Sequence, residues 1–410
     1  MKKVFSLVLS VTLLSSISAI FLSGCGTSCT QTRTYVTMIE VFAPLSDVRN
    51  SFAVSNPTDL VEPGKIHVNG NRLYIVDVRK GIHIYDNSNP SNPVALKFIS
   101  LQTCTDVFTR GNYLYANQGP DLVTLDVSDV SNIQLVDRLN NIIFSNLVKG
   151  DSFVVSYKEG EVIDVVEDCS GGSTFFFEND VVFSGSSGRS GTGISGSQSR
   201  LAILNNLLLA VDQSSVSSFS LDNPAKPTKL GSQVIQDGLE TIFVQENAVF
   251  VGGENGMLIM SFQNGSLKTE SFFFHSRGCD PVVVDNDLAF VTVRGSSPCG
   301  PAMNELHVID VSNLSSPQLI VSHEMEDPHG LATRDSLLLI CDGEAGMKIF
   351  NKNNIITIPQ HLLSVQKAQS AFDVIVLGNQ AILSATEGII QFDITDPANP
   401  VKLSTILKKM

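Results

Sequence analysis

The chain contains no tryptophan and only 6 tyrosines among its 410 residues. The composition therefore gives little support for an aromatic platform that stacks sugar rings. Basic residues are also scarce, because 27 Lys and Arg stand against 41 Asp and Glu and give a formal net charge of −14. Such an acidic body argues against binding to nucleic acid and against electrostatic docking on anionic lipids.

Catalytic signatures are missing as well. The sequence has no nucleophile elbow, no zinc-binding His-Glu-x-x-His and no Cys/His protease signature. No window shows a sustained helical apolar period, and no segment after the first residues is apolar enough to span a bilayer. These absences predict no cofactor and leave the question of an enzymatic activity open.

The N-terminus carries the features of an export signal. A charged start precedes an apolar stretch from Val4 to Phe21 and a small-residue cleavage site, Leu22-Ser23-Gly24-Cys25. This site resembles the lipobox of bacterial lipoprotein signal peptides, which implies removal of residues 1–24 and acylation of Cys25, a stable membrane anchor. A plain signal peptide or an N-terminal membrane helix is the alternative. Gly26 replaces the Asp of the inner-membrane retention signal, which favours the outer membrane and leaves the orientation, periplasmic or surface-facing, open.

A repeat becomes visible when the turn between two apolar runs is used as an anchor. Residues 66–76 and 107–115 share the same pattern, with Gly70 and Gly111 at the turn, 41 residues apart by their numbers. Equivalent turns follow at Gly150, Asn205, Glu246, Asn286, Asp335 and Gly378. The sequence therefore contains eight units, two of them with insertions.

Each unit contains four short apolar runs rich in Val, Ile, Phe and Leu. Four strands in about 41 residues are typical of a β-propeller blade, so we predict an all-β propeller with eight four-stranded blades. Seven blades are the alternative, because repeat three loses its pattern after residues 162–166. The pattern resembles that of the bacterial LVIVD-repeat propeller lipoproteins over residues 59–406. Residues 25–58 would then form a lipidated tether with one strand.

The third run ends in Asp before a Ser, Asn or Pro turn in several units, most clearly at Asp86, Asp310 and Asp393. Asp, Ser and Asn accept backbone N–H bonds in turns, and Pro fixes the exit of the chain. We therefore predict that these carboxylates shape turns. A structural calcium ion is the alternative, although calcium needs six or more converging oxygens.

Two insertions interrupt the repeats. The first, near residues 170–199, is rich in Gly and Ser and predicts a flexible surface loop outside the core. The second carries Cys299, and Cys279 precedes strand one of the same unit. Because both positions lie at one edge of a meander, we predict a Cys279–Cys299 disulfide worth about 3 kcal/mol, with a free or metal-bound pair as the alternative. Cys341 is predicted to be buried in a strand, and no role is assigned to Cys29, Cys104 or Cys169.

The residues that lead into strand one would surround one mouth of the central channel if that strand is innermost. All eight are polar or charged: Lys65, Asp106, Asn146, Arg200, Glu240, Asp280, His329 and Asp373. Gly64 and Gly330, beside two of them, would permit close backbone approach. In one interpretation, these residues are polar because they are solvated and cap the ends of strands. In the other, they form a mixed-charge funnel that orients a polar ligand or a partner loop.

We therefore expect a membrane-anchored envelope lipoprotein whose propeller binds or scaffolds a protein partner without catalysis. A hydrolase or lyase with its site around Asp280 and His329 is one alternative. A propeller that binds a small ligand or an ion is another. The resemblance to the LVIVD-repeat lipoproteins supports the fold and the location, but it implies little about activity.

Overall fold

A computed structural model describes the following residues of the chain: 31–166, 194–195, 199–235, 237–263, 265–275, 278, 281–295 and 303–409. The chain divides into two compact units, residues 1–39 with 157–180 and residues 40–156 with 181–410. The described residues of the first unit belong to two long strands that are hydrogen-bonded neighbours, β1 (Gln31–Pro44) and β12 (Ser152–Val166). No helix in these described ranges is long and apolar enough to cross a membrane.

The second unit is built mainly of four-stranded antiparallel meanders, which we number as blades one to seven. Blade one contains β3 (Pro63–Asn69), β4 (Arg72–Asp77), β5 (Gly81–Asp86) and β6 (Val94–Ser100). Blade two contains β7 (Val107–Arg110), β8 (Tyr113–Gln118), β9 (Asp121–Asp126) and β10 (Gln134–Leu139). Blade three contains β14 (Leu201–Leu204), β15 (Leu207–Val211), β16 (Ser215–Ser220) and β17 (Thr228–Val234).

The remaining blades repeat this plan. Blade four contains β18 (Leu239–Gln245), β19 (Ala248–Gly253), β20 (Gly256–Gln263) and β21 (Ser266–Phe274). Blade five contains β22 (Val282–Asp285), β23 (Leu288–Val293), β24 (Glu305–Asp310) and β25 (Gln318–Glu324). Blade six contains β26 (Leu331–Arg334), β27 (Leu337–Cys341), β28 (Met347–Asn351) and β29 (Leu362–Gln366). Blade seven contains β30 (Asp373–Leu377), β31 (Gln380–Ala385), β32 (Gly388–Asp393) and β33 (Val401–Leu407).

A few short elements complete the described chain. They are α1 (Leu45–Asn50), β2 (Ala53–Ser55), β11 (Val148–Lys149), β13 (Ile194–Ser195) and the 3-10 helices Ser145–Leu147 and Ile355–His361. Blade one is widened to six strands, because β2 pairs with β6 and β13 pairs with β3. Repeat three instead contributes β11 and β12 to a three-stranded sheet in the order β1-β12-β11.

The first strands of the blades contact one another in a closed ring, β3-β7-β14-β18-β22-β26-β30 and back to β3. Apolar side chains fill the space between neighbouring blades, as Val76, Ile82, Val107 and Leu114 do between blades one and two. The predicted all-β propeller is confirmed, with eight sheets. Seven sheets contain a four-stranded meander, and the ring passes directly from β7 to β14. The eighth sheet combines β1 with the two strands of repeat three, whose pattern is the weakest.

The turn between strands one and two has the same backbone conformation in every unit. All eight turn residues that anchor the repeat have φ between 50° and 60°: Gly70, Gly111, Gly150, Asn205, Glu246, Asn286, Asp335 and Gly378. Side chains disfavour this left-handed region, and Gly, Asn and Asp tolerate it best. Gly, Asn and Asp are therefore common at the turn position because its backbone is left-handed.

The Asp that ends the third strand acts in a turn, as predicted. Asp86 Oδ1 accepts a hydrogen bond from the backbone N of Ser88 at 2.9 Å, and Asp393 Oδ1 accepts one from Thr395 at 2.8 Å. Hydrogen bonds from Ser88 hold the pKa of Asp86 below its usual value. Throughout the described ranges, no group of three or more His, Cys, Asp or Glu is placed to hold a metal ion.

One end of the Gly/Ser-rich insertion lies inside the ring, which corrects the prediction of a surface loop for that part. Ile194 pairs with Val68 and Ser195 with His67 on the inner edge of β3, and β13 also contacts β30. Ser199 is fully buried. The added strand covers backbone groups that the innermost strand would otherwise leave unpaired. The Gly/Ser run at 184–193 lies outside the described residues.

Two cysteines are described, and both are buried free thiols, Cys104 and Cys341. The buried strand position predicted for Cys341 is confirmed. Burial raises the pKa of both thiols. Lipidation of Cys25 and the Cys279–Cys299 disulfide stay predictions, because these cysteines lie outside the described ranges. The unassigned Cys29 and Cys169 also lie outside them.

Candidate functional site at the ring mouth

The end of the ring at which the first strands begin, here called the mouth, holds a cavity of about 620 Å³. Three of the predicted residues line it: Lys65, His329 and Asp373. Further wall residues carry charged, polar or aromatic groups: Glu62, Thr105, Arg294, Phe372, Thr386 and Lys408. Strand β13 pairs with β3 at His67 and Val68, beyond the residues of β3 that line the cavity.

A buried cluster joins three blades at the mouth. The Lys65 Nζ donates to Asp106 Oδ1 and to Ser199 Oγ. Asp106 Oδ2 also accepts the backbone N–H groups of Arg200 at 2.7 Å and Leu201 at 3.0 Å. Burial lowers the pKa of the Lys65 ammonium, and the Asp106 carboxylate opposes this shift. Asp106 thus links the start of β7 to the start of β14. These two strands are neighbours in the ring although repeat three separates them in the sequence.

Opposite charges continue along the ring at blades three and four. Arg200 lies 4.9 Å from the centre of the Phe144 ring and donates to the carbonyl oxygen of Leu239 at 3.0 Å. Burial lowers the pKa of Arg200, and the charge of Glu240 opposes that shift. Lys65, Asp106, Arg200 and Glu240 therefore alternate in sign around this part of the mouth.

His329 is the imidazole of the cavity wall. Its Nε2 lies 3.0 Å from Asp327 Oδ2, and its carbonyl oxygen accepts a hydrogen bond from Thr292 Oγ1 at 2.6 Å. Burial and the positive charge of Arg294 lower the pKa of His329, while Asp327 opposes them. The imidazole is therefore neutral near pH 7, the state in which it accepts a proton or a hydrogen bond.

Close packing at blades six and seven requires a glycine. A Cβ on Gly330 would lie 2.4 Å from Asp373 Oδ1 and 2.9 Å from the carbonyl oxygen of Phe372. The backbone N of Gly330 donates to that same carbonyl at 2.9 Å. A Cβ on Gly64 would similarly lie 2.7 Å from Val78 Cγ2. The predicted close approach at both glycines is confirmed.

The structure assembles six of the eight predicted mouth residues, but their environment differs from a solvated funnel. Lys65, Asp106 and Asp373 are each only 2% exposed, so simple solvation does not explain their polarity. Asn146 is exposed in the 3-10 helix Ser145–Leu147, and its unit contributes no strand to the ring of first strands. Its assignment to the mouth stays a prediction. Asp280 lies outside the described residues.

A second set of wall positions lies outside the eight predicted mouth residues. Val78, Arg294 and Thr386 all line the cavity, and each is the eighth residue after the left-handed turn of its unit. This spacing places the residue that follows strand two at the mouth. Extending the anchored alignment by that distance would have identified Arg294 as a wall residue.

Buried carboxylates at the end of strand two were also missed. Asp77 accepts the backbone N–H groups of Val61 at 3.0 Å and Glu62 at 2.9 Å. In blade six, Asp342 Oδ1 accepts the backbone N of Asp327 at 2.7 Å. These hydrogen bonds fix the segments that precede strand one, which include residues of the cavity wall.

A second cavity of about 600 Å³ lies at the opposite end of the ring, here called the turn end. Its floor is formed by Phe243, Val244 and Val284, and its charged wall residues include Glu246 and Asp335. Both acidic residues are exposed, whereas Lys65 and Asp373 at the mouth are buried.

The ring and its mouth define a β-propeller built from sequence repeats. The LVIVD repeat model matches residues 63–100, 103–141 and 300–324, so this chain contains LVIVD repeats. The first two matches correspond to blades one and two, and the third covers β24 and β25 of blade five. No curated protein sequence matches the chain.

Solved structures support the same fold. The computationally designed Ika8 protein has a TM-score of 0.54 at 11% identity, covering 86% of this chain and 92% of its own. Sqt1 from Saccharomyces cerevisiae has a TM-score of 0.50 at 10% identity, covering 85% and 86%. A functionally unknown protein from Desulfotomaculum acetoxidans has 0.50 at 9%, covering 84% and 95%. At these identities the likeness concerns the fold alone.

Proposed function

We propose that the protein is a lipoprotein of the bacterial outer membrane that binds another envelope protein at the ring mouth and is not an enzyme. The lipobox at residues 22–25 supports the anchor. We assign the binding role to the cavity at the mouth, because blades one, two, five, six and seven all contribute polar side chains to its wall. Its volume of about 620 Å³ lies within the range of ligand sites in proteins.

The binding role is tested by cross-linking in intact envelopes, followed by mass spectrometry of the attached proteins. The test variant combines His329→Ala with Lys408→Ala, which removes two wall side chains and leaves the buried Lys65–Asp106 pair intact. The control combines Lys229→Ala with His361→Ala, two exposed residues of the same types on the outer strand of blade three and in the 3-10 helix Ile355–His361. A discrete partner lost only from the test variant supports the proposal. A partner retained by both variants contradicts it.

The anchor is tested separately by metabolic labelling with palmitate. Wild-type chain is expected to take up label and to sediment with membranes. Cys25→Ser is expected to lose both properties, because the thiol is the acylation site that the lipobox implies. Unlabelled wild-type chain would remove the lipoprotein part of the proposal without affecting the binding part.

One contact favours a second function, a hydrolase or lyase with His329 as its general base. The 3.0 Å contact between His329 Nε2 and Asp327 is the arrangement that orients an imidazole for proton transfer. Partner capture that persists in an Asp327→Asn, His329→Gln variant, together with loss of turnover on an envelope-derived substrate, would favour the enzyme over the scaffold.

A further inference from the structure

One face of strand β1 exposes three large apolar side chains. Val36 is 64% exposed, Met38 41% and Phe42 46%. Side chains alternate along a strand, so these three residues, which are two or four positions apart, lie on the same face. No other stretch of seven residues in the described ranges exposes as many large apolar side chains. A dense exposed group of this kind indicates a surface that contacts something apolar.

The opposite face of β1 has a contact within its own sheet. By the alternation of the strand, Ile39 points away from Met38, and a Cβ on Gly160 of β12 would overlap with Ile39 Cδ1. Ile39 therefore packs against the neighbouring strand of the sheet β1-β12-β11. The other side of the strand, here called the apolar face of β1, consists of Val36, Met38 and Phe42.

Acidic groups border the apolar face of β1. Glu40 lies within this face, and Glu159 and Glu161 are exposed on β12. One basic residue, Lys158, is exposed beside them, and the chain as a whole has a net charge of −14. Because like charges repel, these surroundings disfavour anionic lipid headgroups. An apolar environment without net charge is the suitable contact for this face.

The predicted lipid would bring the apolar face close to a membrane. Gln31, the first residue of β1, follows Cys25 by six positions, which an extended chain spans in at most about 20 Å. The strand itself has 14 residues and is about 46 Å long. An acyl anchor on Cys25 would therefore hold Gln31 nearer to the bilayer than the strand is long. Such a tether gives a weak second contact an effective concentration in about the millimolar range.

We propose that the apolar face of β1 lies on the bilayer that holds the lipid anchor, in contact with zwitterionic lipid. Val36, Met38 and Phe42 enter the boundary between headgroups and acyl chains, where the apolar side chains of surface-bound segments are buried. The inference rests on the anchor of the proposed function and adds a second membrane contact to it. It does not depend on what the ring mouth binds.

The absence of tryptophan from the chain allows a single fluorescent reporter. The lipidated protein with Met38→Trp is reconstituted into vesicles of phosphatidylcholine with brominated acyl chains, which quench tryptophan on contact. Phe274→Trp, a 73% exposed position on the outer strand of blade four, is the control. Bromolipid is expected to quench Met38→Trp at least about twofold more than Phe274→Trp, because Met38 lies in the lipid boundary. Equal quenching overturns the proposal.

Substitutions on the same face separate an apolar contact from general proximity to the bilayer. In the Met38→Trp protein, Val36→Asp combined with Phe42→Asp is expected to lower quenching to the level of the control position, since burying two carboxylates is unfavourable. Glu40→Gln removes the carboxylate of the face and is expected to increase quenching. Quenching that does not respond to either change would contradict contact through this face.

A matched pair of substitutions lies on the propeller. Leu230→Asp combined with Val234→Asp changes two exposed apolar positions on the outer strand of blade three. This variant is expected to leave the quenching of Met38→Trp unchanged. A decrease equal to that of the Val36→Asp, Phe42→Asp variant would show that added negative charge alone is responsible.

Flotation of the same samples with the vesicles distinguishes this inference from the proposed function. Protein that does not float has no anchor, which overturns the anchor and the β1 contact together. Protein that floats without preferential quenching of Met38→Trp keeps the anchor and overturns this inference alone. A blue-shifted Met38→Trp emission without quenching would assign the face to a second copy or to the protein partner, and would likewise contradict contact with lipid.

Discussion

The mouth and the turn end are built from the same repeats, yet their residues behave differently. At the turn end, equivalent residues such as Gly70 and Glu246 share one left-handed backbone conformation and differ little in role. At the mouth, the equivalent residues Lys65, Asp106 and Asp373 differ in charge and are buried. In a repeat protein, positions that repeat a backbone requirement build the scaffold, whereas positions that vary in chemistry between units are candidates for function.

The sharpest test of this contrast is the buried ion pair of the mouth. Asp106→Ala leaves the Lys65 ammonium buried without its carboxylate and removes the fastening between β7 and β14. We expect the free energy of unfolding to fall by about 3–5 kcal/mol in urea denaturation. Asp287→Ala, at an exposed turn-end position, is expected to change it by less than about 0.5 kcal/mol. Similar losses in both variants would erase the distinction between the two ends.

The close packing of blades six and seven gives the next largest effect. Gly330→Ala places a Cβ against Asp373 and the backbone of Phe372, and a crowded site of this kind costs about 1–3 kcal/mol. Gly231→Ala, on the outer strand of blade three, meets no atom within 4 Å and is expected to be neutral or slightly stabilising. Thermal unfolding of the two variants compares a mouth glycine with an unconstrained one. An unchanged Tm for Gly330→Ala would contradict the packing described here.

Between the two ends, His67 should make stability depend on pH. Burial lowers its pKa well below the usual value, so the folded chain keeps the imidazole neutral while the unfolded chain takes up a proton below about pH 6.5. Stability is therefore complete above that pH and decreases below it, by at most about 1.4 kcal/mol per pH unit.

The variant His67→Gln is expected to be less stable than wild type at pH 7, because the contact between His67 Nε2 and Thr109 Oγ1 changes. Its stability should nevertheless vary less between pH 7 and pH 5. Urea unfolding at both pH values measures the difference, with the exposed His361→Gln as control. Parallel pH profiles for wild type and His67→Gln would show that another group is responsible.

The smallest effect is expected at the turn end. Glu246 has φ of 52°, a conformation that costs a non-glycine residue about 1–2 kcal/mol. Glu246→Gly should relieve that strain but increase the entropy of the unfolded chain, for a net gain of up to about 1 kcal/mol. The converse change, Gly378→Ala, should lose a similar amount. Opposite signs in calorimetry would confirm that this end is governed by backbone geometry.

The parts of the fold that follow local rules could be predicted from the sequence. The turn anchors were found because a left-handed backbone selects Gly, Asn and Asp, and the propeller followed from their spacing. The Asp turns followed from short-range hydrogen bonding within a few residues. Six mouth residues were found because each lies five or six residues before the left-handed turn of its unit.

The parts that depend on distant contacts could not be predicted. Ile194 lies at the end of a Gly/Ser-rich stretch, and only the unpaired edge of β3, more than 100 residues earlier, explains its pairing inside the ring. The direct contact of β7 with β14 is a second example, because repeat three lies between these two strands in the sequence and contributes no strand to the ring. Burial of Lys65 likewise depends on Asp106 and Ser199, which come from two other blades.

Binding of a partner at the mouth is tested most directly by a photo-cross-linking experiment that compares the two ends of the ring. A photoreactive amino acid is placed at Lys408, in the mouth cavity, and in a second protein at Asp335, in the turn-end cavity. After irradiation of intact envelopes, mass spectrometry identifies the attached proteins. A discrete partner is expected from the protein labelled at Lys408 and none from the protein labelled at Asp335. A partner attached only through Asp335 would assign binding to the turn end and contradict binding at the mouth.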